Sequence, residues 1–195
     1  PGEGYSYVCQ TLDMGISYYR LVYARLTGEP FVVAETKNLL IREMTTRDLP
    51  ELYAVYSTLE DCRYIEQLYD YDKELEFTKN YIKNMYGFFE YGLWLVFEKK
   101  SGELIGRAGI ENREIDGVTC REIGYLIRRD MQHKGYAYEA CQAILEYASD
   151  ELGIQEMFAV IDKTNEPSRK LAQKLGFELY AQTDGGPDLY KFVFG

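Results

Sequence analysis

The stretch of this chain best suited to chemistry is a loop that opens into a helix. Arg128-Arg129-Asp130-Met131-Gln132-His133-Lys134-Gly135-Tyr136-Ala137 follows a strand-like run. It precedes a helical pattern in which Ala137, Ala140, Cys141, Ile144, Leu145 and Ala148 recur at intervals of three and four. A loop entering a helix exposes amides that have no intrahelical acceptor, and the helix dipole adds partial positive charge there. That combination is an anion site built from main chain, suited to a phosphate. Gly135 has no Cβ and Ala137 only a methyl, so a phosphate can approach the amides closely. Arg128, Arg129 and Lys134 outweigh Asp130 locally, although the chain as a whole carries a net charge of −10. Screening over about 8 Å at physiological salt lets the local patch dominate at contact range. The competing reading is an ordinary turn with solvated basic residues.

A pair of carboxylates forms the second constellation. Residues 109–115 and 118–127 flank Asp116-Gly117, and Asp-Gly is a strong two-residue hairpin signal because a type I′ turn needs positive φ at both positions. The turn sets Ile115 opposite Val118. Counting back along both strands then places Glu111 opposite Glu122 on one sheet face. Facing like charges are disfavoured, so two outcomes are open. Either repulsion raises the proton affinity of one carboxyl toward neutral pH, as a general base requires, or Arg107 or Arg113 neutralises the pair.

The remaining elements must hold these two groups together. Residues 39–44 read as a strand, Thr45-Thr46-Arg47-Asp48 as a helix start with Pro50 in the first turn, and residues 73–86 as a second helix. On that second helix Leu75, Thr78, Ile82, Met85 and Phe89 share one face, widened by Phe77, Tyr81 and Phe88. Residues 93–97 and 103–115 are strands about Lys100-Ser101-Gly102, and residues 157–161 form a short apolar strand. Asn165 caps a helix bearing Leu171, Ala172 and Leu175 that ends at Gly176, before strands at 177–182 and 188–194. An N-terminal helix is expected over residues 12–26, with Ile16, Tyr19, Val22, Tyr23 and Leu26 on one face.

Composition narrows the classes. The 195 residues are 46% hydrophobic and 15% aromatic, enough for a folded core. A chain with 32 acidic against 22 basic residues is a poor general nucleic-acid binder. No apolar run is long enough to span a membrane, and no basic start leads into an apolar stretch in the manner of a signal peptide. Cys9, Cys62, Cys120 and Cys141 are scattered, and His133 is the only histidine, which argues against a metal site and for a cytoplasmic location.

Gln132-His133-Lys134-Gly135-Tyr136-Ala137 resembles the (Gln/Arg)-x-x-Gly-x-(Gly/Ala) acetyl-coenzyme A signature of the GNAT superfamily of N-acetyltransferases. Arg121-Glu122-Ile123-Gly124-Tyr125-Leu126-Ile127 before it, and Asn165-Glu166-Pro167-Ser168 with Lys174-Leu175-Gly176-Phe177 after it, are similar to that family's neighbouring segments. The resemblance covers residues 39–194 and points to the Rim-type, ribosomal-protein N-terminal acetyltransferase branch of a bacterial kind. It implies an α+β fold with a mixed, mostly antiparallel central sheet flanked by helices, here with an extra N-terminal helix. It further implies transfer of an acetyl group from acetyl-CoA, without a metal, to a primary amine that attacks the thioester directly.

By the same resemblance Gln132, His133, Lys134, Gly135, Tyr136 and Ala137 form the pyrophosphate loop, with His133 either a phosphate contact or simply a surface residue. Main-chain groups of Ile123, Tyr125 and Ile127 line the pantetheine arm, Asn165 hydrogen-bonds it, and Arg169 reaches the nucleotide end. Glu122 occupies the position of the family's general base, with Glu111 facing it. The tyrosine that many members carry seven residues after the asparagine is Ala172 here, and Ser168 is then the nominee for protonating the thiolate, the alternatives being a capping serine and a thiolate that takes its proton from water. The acceptor is a peptide N-terminus or a small amine. The other readings are a small-metabolite or antibiotic acetyltransferase, and a non-catalytic acyl-CoA-binding regulatory module. No nucleic acid or membrane partner is expected, and the protein is expected to be a monomer or homodimer.

Residues 38–195 are expected to form the acetyltransferase domain and residues 1–37 an extension outside it. That extension resembles the tail joining a haloacid-dehalogenase-like hydrolase to an acetyltransferase in some bacterial chains. The chain begins at Pro1 rather than Met, so a piece of a longer protein is expected.

Overall fold

The computed structural model describes residues 18–59, 63–115 and 117–195. Residues 12–17 of the expected first helix, Cys9, Cys62 and Asp116 of the expected turn lie outside the described residues. The first half contains α1 (residues 18–27), β1 (Val32–Glu35), β2 (Leu39–Arg42), α2 (Leu49–Ser57) and α3 (Tyr71–Tyr81), which runs on as a π-helix, Ile82–Phe89. The second half contains β3 (Leu93–Glu98), β4 (Leu104–Ile115), β5 (Val118–Ile127), α4 (Tyr136–Asp150), β6 (Glu156–Ile161), α5 (Glu166–Leu175), β7 (Glu178–Ala181) and β8 (Asp188–Val193).

The eight strands form one sheet in the order β1-β2-β3-β4-β5-β6-β8-β7, antiparallel except between β5 and β6. The register counted from the hairpin holds along its whole length: ten pairs run from Gly106↔Ile127 to Ile115↔Val118, and Glu111 faces Glu122. Between β5 and β6 the pairing is confined to Glu122↔Phe158. Past that point the two strands splay, and their inward backbone edges lose their ladder partners.

α4 packs across β1, β2, β4 and β5, where its Tyr147 ring meets the buried Trp94 edge-on at 5.4 Å. On the opposite face α2 and α3 bring tyrosines against the sheet. Tyr81 Oη accepts the Leu93 amide at 2.6 Å, and Tyr86 donates its hydroxyl to Leu93 O. Together they clamp the first residue of β3 from above.

Three local expectations change. The helix over residues 73–86 keeps Thr78 buried, but the π-helix adds a residue to its turn, so the 3.6-residue stripe slips. Tyr86 becomes the buried residue while Phe88 and Phe89 face outward. In α1 the expected face is turned away: Tyr19, Tyr23 and Leu26 are exposed and Ala24 is buried. The cause is Arg25, which grips both oxygens of the buried Glu43 at 2.6 and 2.7 Å and donates to Tyr86 O at 2.8 Å. A specific ion pair, seated beside a small alanine, sets the helix rotation in place of the aromatic stripe. Finally, Val32–Glu35 contributes an edge strand paired with β2, and the strand expected over residues 39–44 ends at Arg42.

Arg25→Ala leaves Glu43 buried without its counter-ion, and is expected to lower stability by about 2–3 kcal/mol. A urea titration with an unchanged m-value and a lower midpoint checks it.

Candidate active site

The gap between β5 and β6 opens into a cleft of about 1230 Å³ that spans the sheet from the α2 side to the loop before α4. Its walls carry most of the residues singled out in the sequence. Glu111, Glu122, Ile123, Tyr125, Ile127, Gln132, His133, Gly135, Tyr136, Ala137, Asn165 and Ser168 all line it. Lys134 and Arg169 do not: the Lys134 ammonium lies 3.1 Å from Met131 Sδ, and Arg169 Nε is buried without a hydrogen-bond partner among the described residues.

The loop before α4 is built as the anion argument requires. His133 and Gly135 both have positive φ, 61° and 89°, so two left-handed residues fall within three positions of the loop. Gln132 Nε2 ties the loop to the end of β5 by donating to Ile127 O at 2.9 Å. The amides of His133, Lys134, Gly135, Tyr136, Ala137 and Tyr138 have no acceptor among the described residues; the first helical bond is Glu139 N to Gly135 O. A β-carbon on Gly135 would meet open space, so the glycine is required by its backbone angle and not by crowding. Tyr136 donates its hydroxyl to Glu98, which anchors the first residue of the helix to β3.

Main chain along β5 supplies the next segment. Arg128 N donates to Ile105 O, and Leu126 O lies against Gly106, so even-numbered residues of β5 direct their backbone groups to β4. The odd-numbered Ile123, Tyr125 and Ile127 direct theirs to the β5–β6 gap. Facing them, Asn165 Oδ1 caps α5 by accepting the Ser168 amide at 3.2 Å, which leaves its Nδ2 group uncommitted. Ser168 Oγ and Tyr125 Oη share a 2.8 Å hydrogen bond across the gap. Burial raises the Tyr125 phenol well above its usual range, so the pair holds its proton at physiological pH.

Glu122 sits at the apex of the splay. Its Oε1 accepts the Val160 amide of β6 at 3.3 Å, and its Oε2 accepts from Arg113 Nη1 at 3.0 Å. Burial raises the Glu122 carboxyl above the ordinary carboxylate value, opposed by Arg113 and the amide. The expectation that the facing carboxylate drives this rise is corrected. Desolvation is the larger cause at both residues, and the repulsion is felt at Glu111, where it adds to burial and Arg107 opposes it. Both outcomes weighed for the pair are therefore present: a raised carboxyl, and an arginine on it. Arg113 is half exposed while the Glu122 side chain is 13% exposed, so the counter-ion is screened and the acid is not. Gly124 leaves room for the Glu111 carboxyl, since a β-carbon there would lie 3.3 Å from Glu111 Oε2.

Some participants were not legible in advance. The Tyr125 phenol, the Val160 amide and the Tyr64–Thr164 hydrogen bond at 2.6 Å all join segments far apart in the chain. Arg107 carried a local signal: it is a charged residue inside a run of β4 that is otherwise buried and apolar.

This fold and cleft define a class. Residues 38–178 match the Acetyltransferase (GNAT) domain family, and the chain belongs to it. It is 33% identical over 134 residues to the uncharacterized protein YkkB of Bacillus subtilis (strain 168), covering 69% of this chain and 72% of that one. It is 32% identical to the uncharacterized N-acetyltransferase YnaD of the same organism, covering 72% and 79%. Among solved structures it shares its fold with the ribosomal L7/L12 alpha-N-protein acetyltransferase RimL in complex with coenzyme A. The TM-score there is 0.65 at 16% identity, over 83% of this chain and 97% of that one. The protein is an enzyme of the N-acetyltransferase class. Among the described residues no helix is long and apolar enough to cross a membrane.

Proposed function

We propose that the protein transfers an acetyl group from acetyl-CoA to a primary amine, with Glu122 as the general base. The observation that carries this reading is the row of amides from His133 to Tyr138, unpaired among the described residues, at the mouth of the β5–β6 gap. Acetyl-CoA supplies a thioester carbonyl as the electrophile. The loop amides would hold its pyrophosphate, assisted by the N-terminal dipole of α4. Tyr125 and Ile127 main-chain groups and the Asn165 amide would line its pantetheine arm. An ammonium cannot attack a carbonyl, so a proton must first leave it. Glu122, buried at the apex with a raised proton affinity, accepts that proton. Tyr125 and Ser168, paired on the far side of the gap, form a protonated donor for the departing sulfur. A peptide N-terminus and a small amine both suit the cleft as acceptor.

Release of free thiol with an amine panel, alongside a titration with acetyl-CoA, tests the reading. Turnover supports it, whereas tight acetyl-CoA binding without turnover on a broad panel would favour a binding module. A pH profile adds a sharper check. Glu122 works only when deprotonated, so kcat/KM is expected to rise with pH through a midpoint above the ordinary value of about 4.3. Measured in Glu122→Gln, that rising limb should be absent.

A further inference from the structure

One wall of the cleft contains a cation without a paired anion among the described residues. Arg107 lies on β4 opposite Leu95, is 7% exposed, and lines the cleft on the same strand face as Glu111. Its Nε is buried with no hydrogen-bond partner among the described residues. Nη1 reaches Tyr56 Oη only at 3.5 Å, and the Tyr81 hydroxyl also acts on the guanidinium as a neutral neighbour. No carboxylate among the described residues lies within ion-pair distance of it; Glu111 acts on it only at longer range. The side chains that act on it belong to Tyr56, Tyr81 and Tyr86. Two of these are already committed to the β3 backbone, Tyr81 accepting from Leu93 N and Tyr86 donating to Leu93 O.

A buried guanidinium ordinarily has a carboxylate or several hydrogen-bond acceptors, because desolvating an unpaired charge is costly. Two part-buried arginines obey the rule, Arg42 pairing with Asp48 and Arg25 with Glu43, while the buried Nε of Arg169 shares with Arg107 the lack of a partner among the described residues. A guanidinium on a cleft wall, with an unpartnered Nε and only neutral hydroxyls against its other nitrogens, is a planar fork of the shape that accepts a carboxylate. Glu122, the proposed base, lines the same cleft further along the sheet.

We infer that the acceptor amine bears a carboxylate, which Arg107 binds while the amino group is presented to Glu122. The inference rests on the transferase reading and narrows it to anionic amines: free amino acids, or peptides whose first residue has an acidic side chain. A neutral or polycationic amine would leave Arg107 without a partner and meet its charge.

The test compares matched acceptors by thiol release with the intact protein. One arm sets free amino acids against their α-carboxamides. The other sets C-terminally amidated peptides beginning with Asp or Glu against those beginning with Asn or Gln. The expected result is a tenfold or larger preference in kcat/KM for the acid in one arm, which also identifies the source of the carboxylate. In Arg107→Gln that preference should collapse to within about twofold through KM for the acid, and Arg107→Lys should restore part of it. The wild-type comparison stands by itself if the glutamine variant does not fold. Equal or better use of the amides overturns the inference, as does an acid preference that survives in Arg107→Gln. Acetyl-CoA binding with no turnover of any acid also overturns it, leaving the cofactor site intact. Failure to bind acetyl-CoA at all would remove the transferase reading itself, and the inference with it.

Discussion

Glu122→Gln is expected to lower kcat by about 10²- to 10⁴-fold while acetyl-CoA affinity stays within about twofold. The glutamine is nearly isosteric and keeps an oxygen for the Val160 amide, so the apex of the β5–β6 splay is retained. What is lost is the site that takes the ammonium proton. The burial that raises the proton affinity of Glu122 also penalises its charge, so removing the charge relieves a desolvation cost. The variant should therefore be no less stable than wild type in a thermal melt. Single-turnover kinetics with saturating acceptor, together with a calorimetric acetyl-CoA titration, separates the two quantities. Unchanged turnover would exclude Glu122 from the proton transfer and return attention to Glu111.

Gly135→Val should strike the other half of the site. At φ 89° a β-branched side chain has no comfortable conformation, and holding one there costs about 1–3 kcal/mol. The surrounding space is open, so the strain comes from the backbone alone and is relieved by reshaping the loop. A reshaped loop no longer aims its amides together. Acetyl-CoA affinity is expected to fall about 10- to 100-fold, with a smaller effect on kcat at saturation. Equilibrium titration of the variant beside wild type measures it. An affinity within twofold of wild type would mean that the loop conformation does not determine binding.

How much of this was legible in advance depends on the range of the interaction. The Asp116-Gly117 dipeptide, a local signal in the sequence, predicts the register that β4 and β5 take and so the meeting of Glu111 with Glu122. The cap at Asn165 and the left-handed stop at Gly176, with φ 95°, are equally local and lie where the residue types put them. The α4 entry was readable as an anion site from glycine and helix periodicity, though its identification with a coenzyme loop came from the resemblance. Contacts between distant segments were not readable. The Ser168 hydroxyl meets Tyr125 only because the sheet opens between β5 and β6. Periodicity assigned Phe89 to the buried face of α3, and one wider π turn moved that place to Tyr86. The rotation of α1 was decided by the Arg25–Glu43 ion pair, which no apolar stripe announces.

A crystal structure of the protein with coenzyme A bound would examine the central claim most directly. The account predicts diphosphate oxygens within hydrogen-bond distance of the amides between His133 and Tyr138, and the pantetheine arm running between β5 and β6 toward Glu122. A nucleotide seated elsewhere, with those amides left facing solvent, would contradict it.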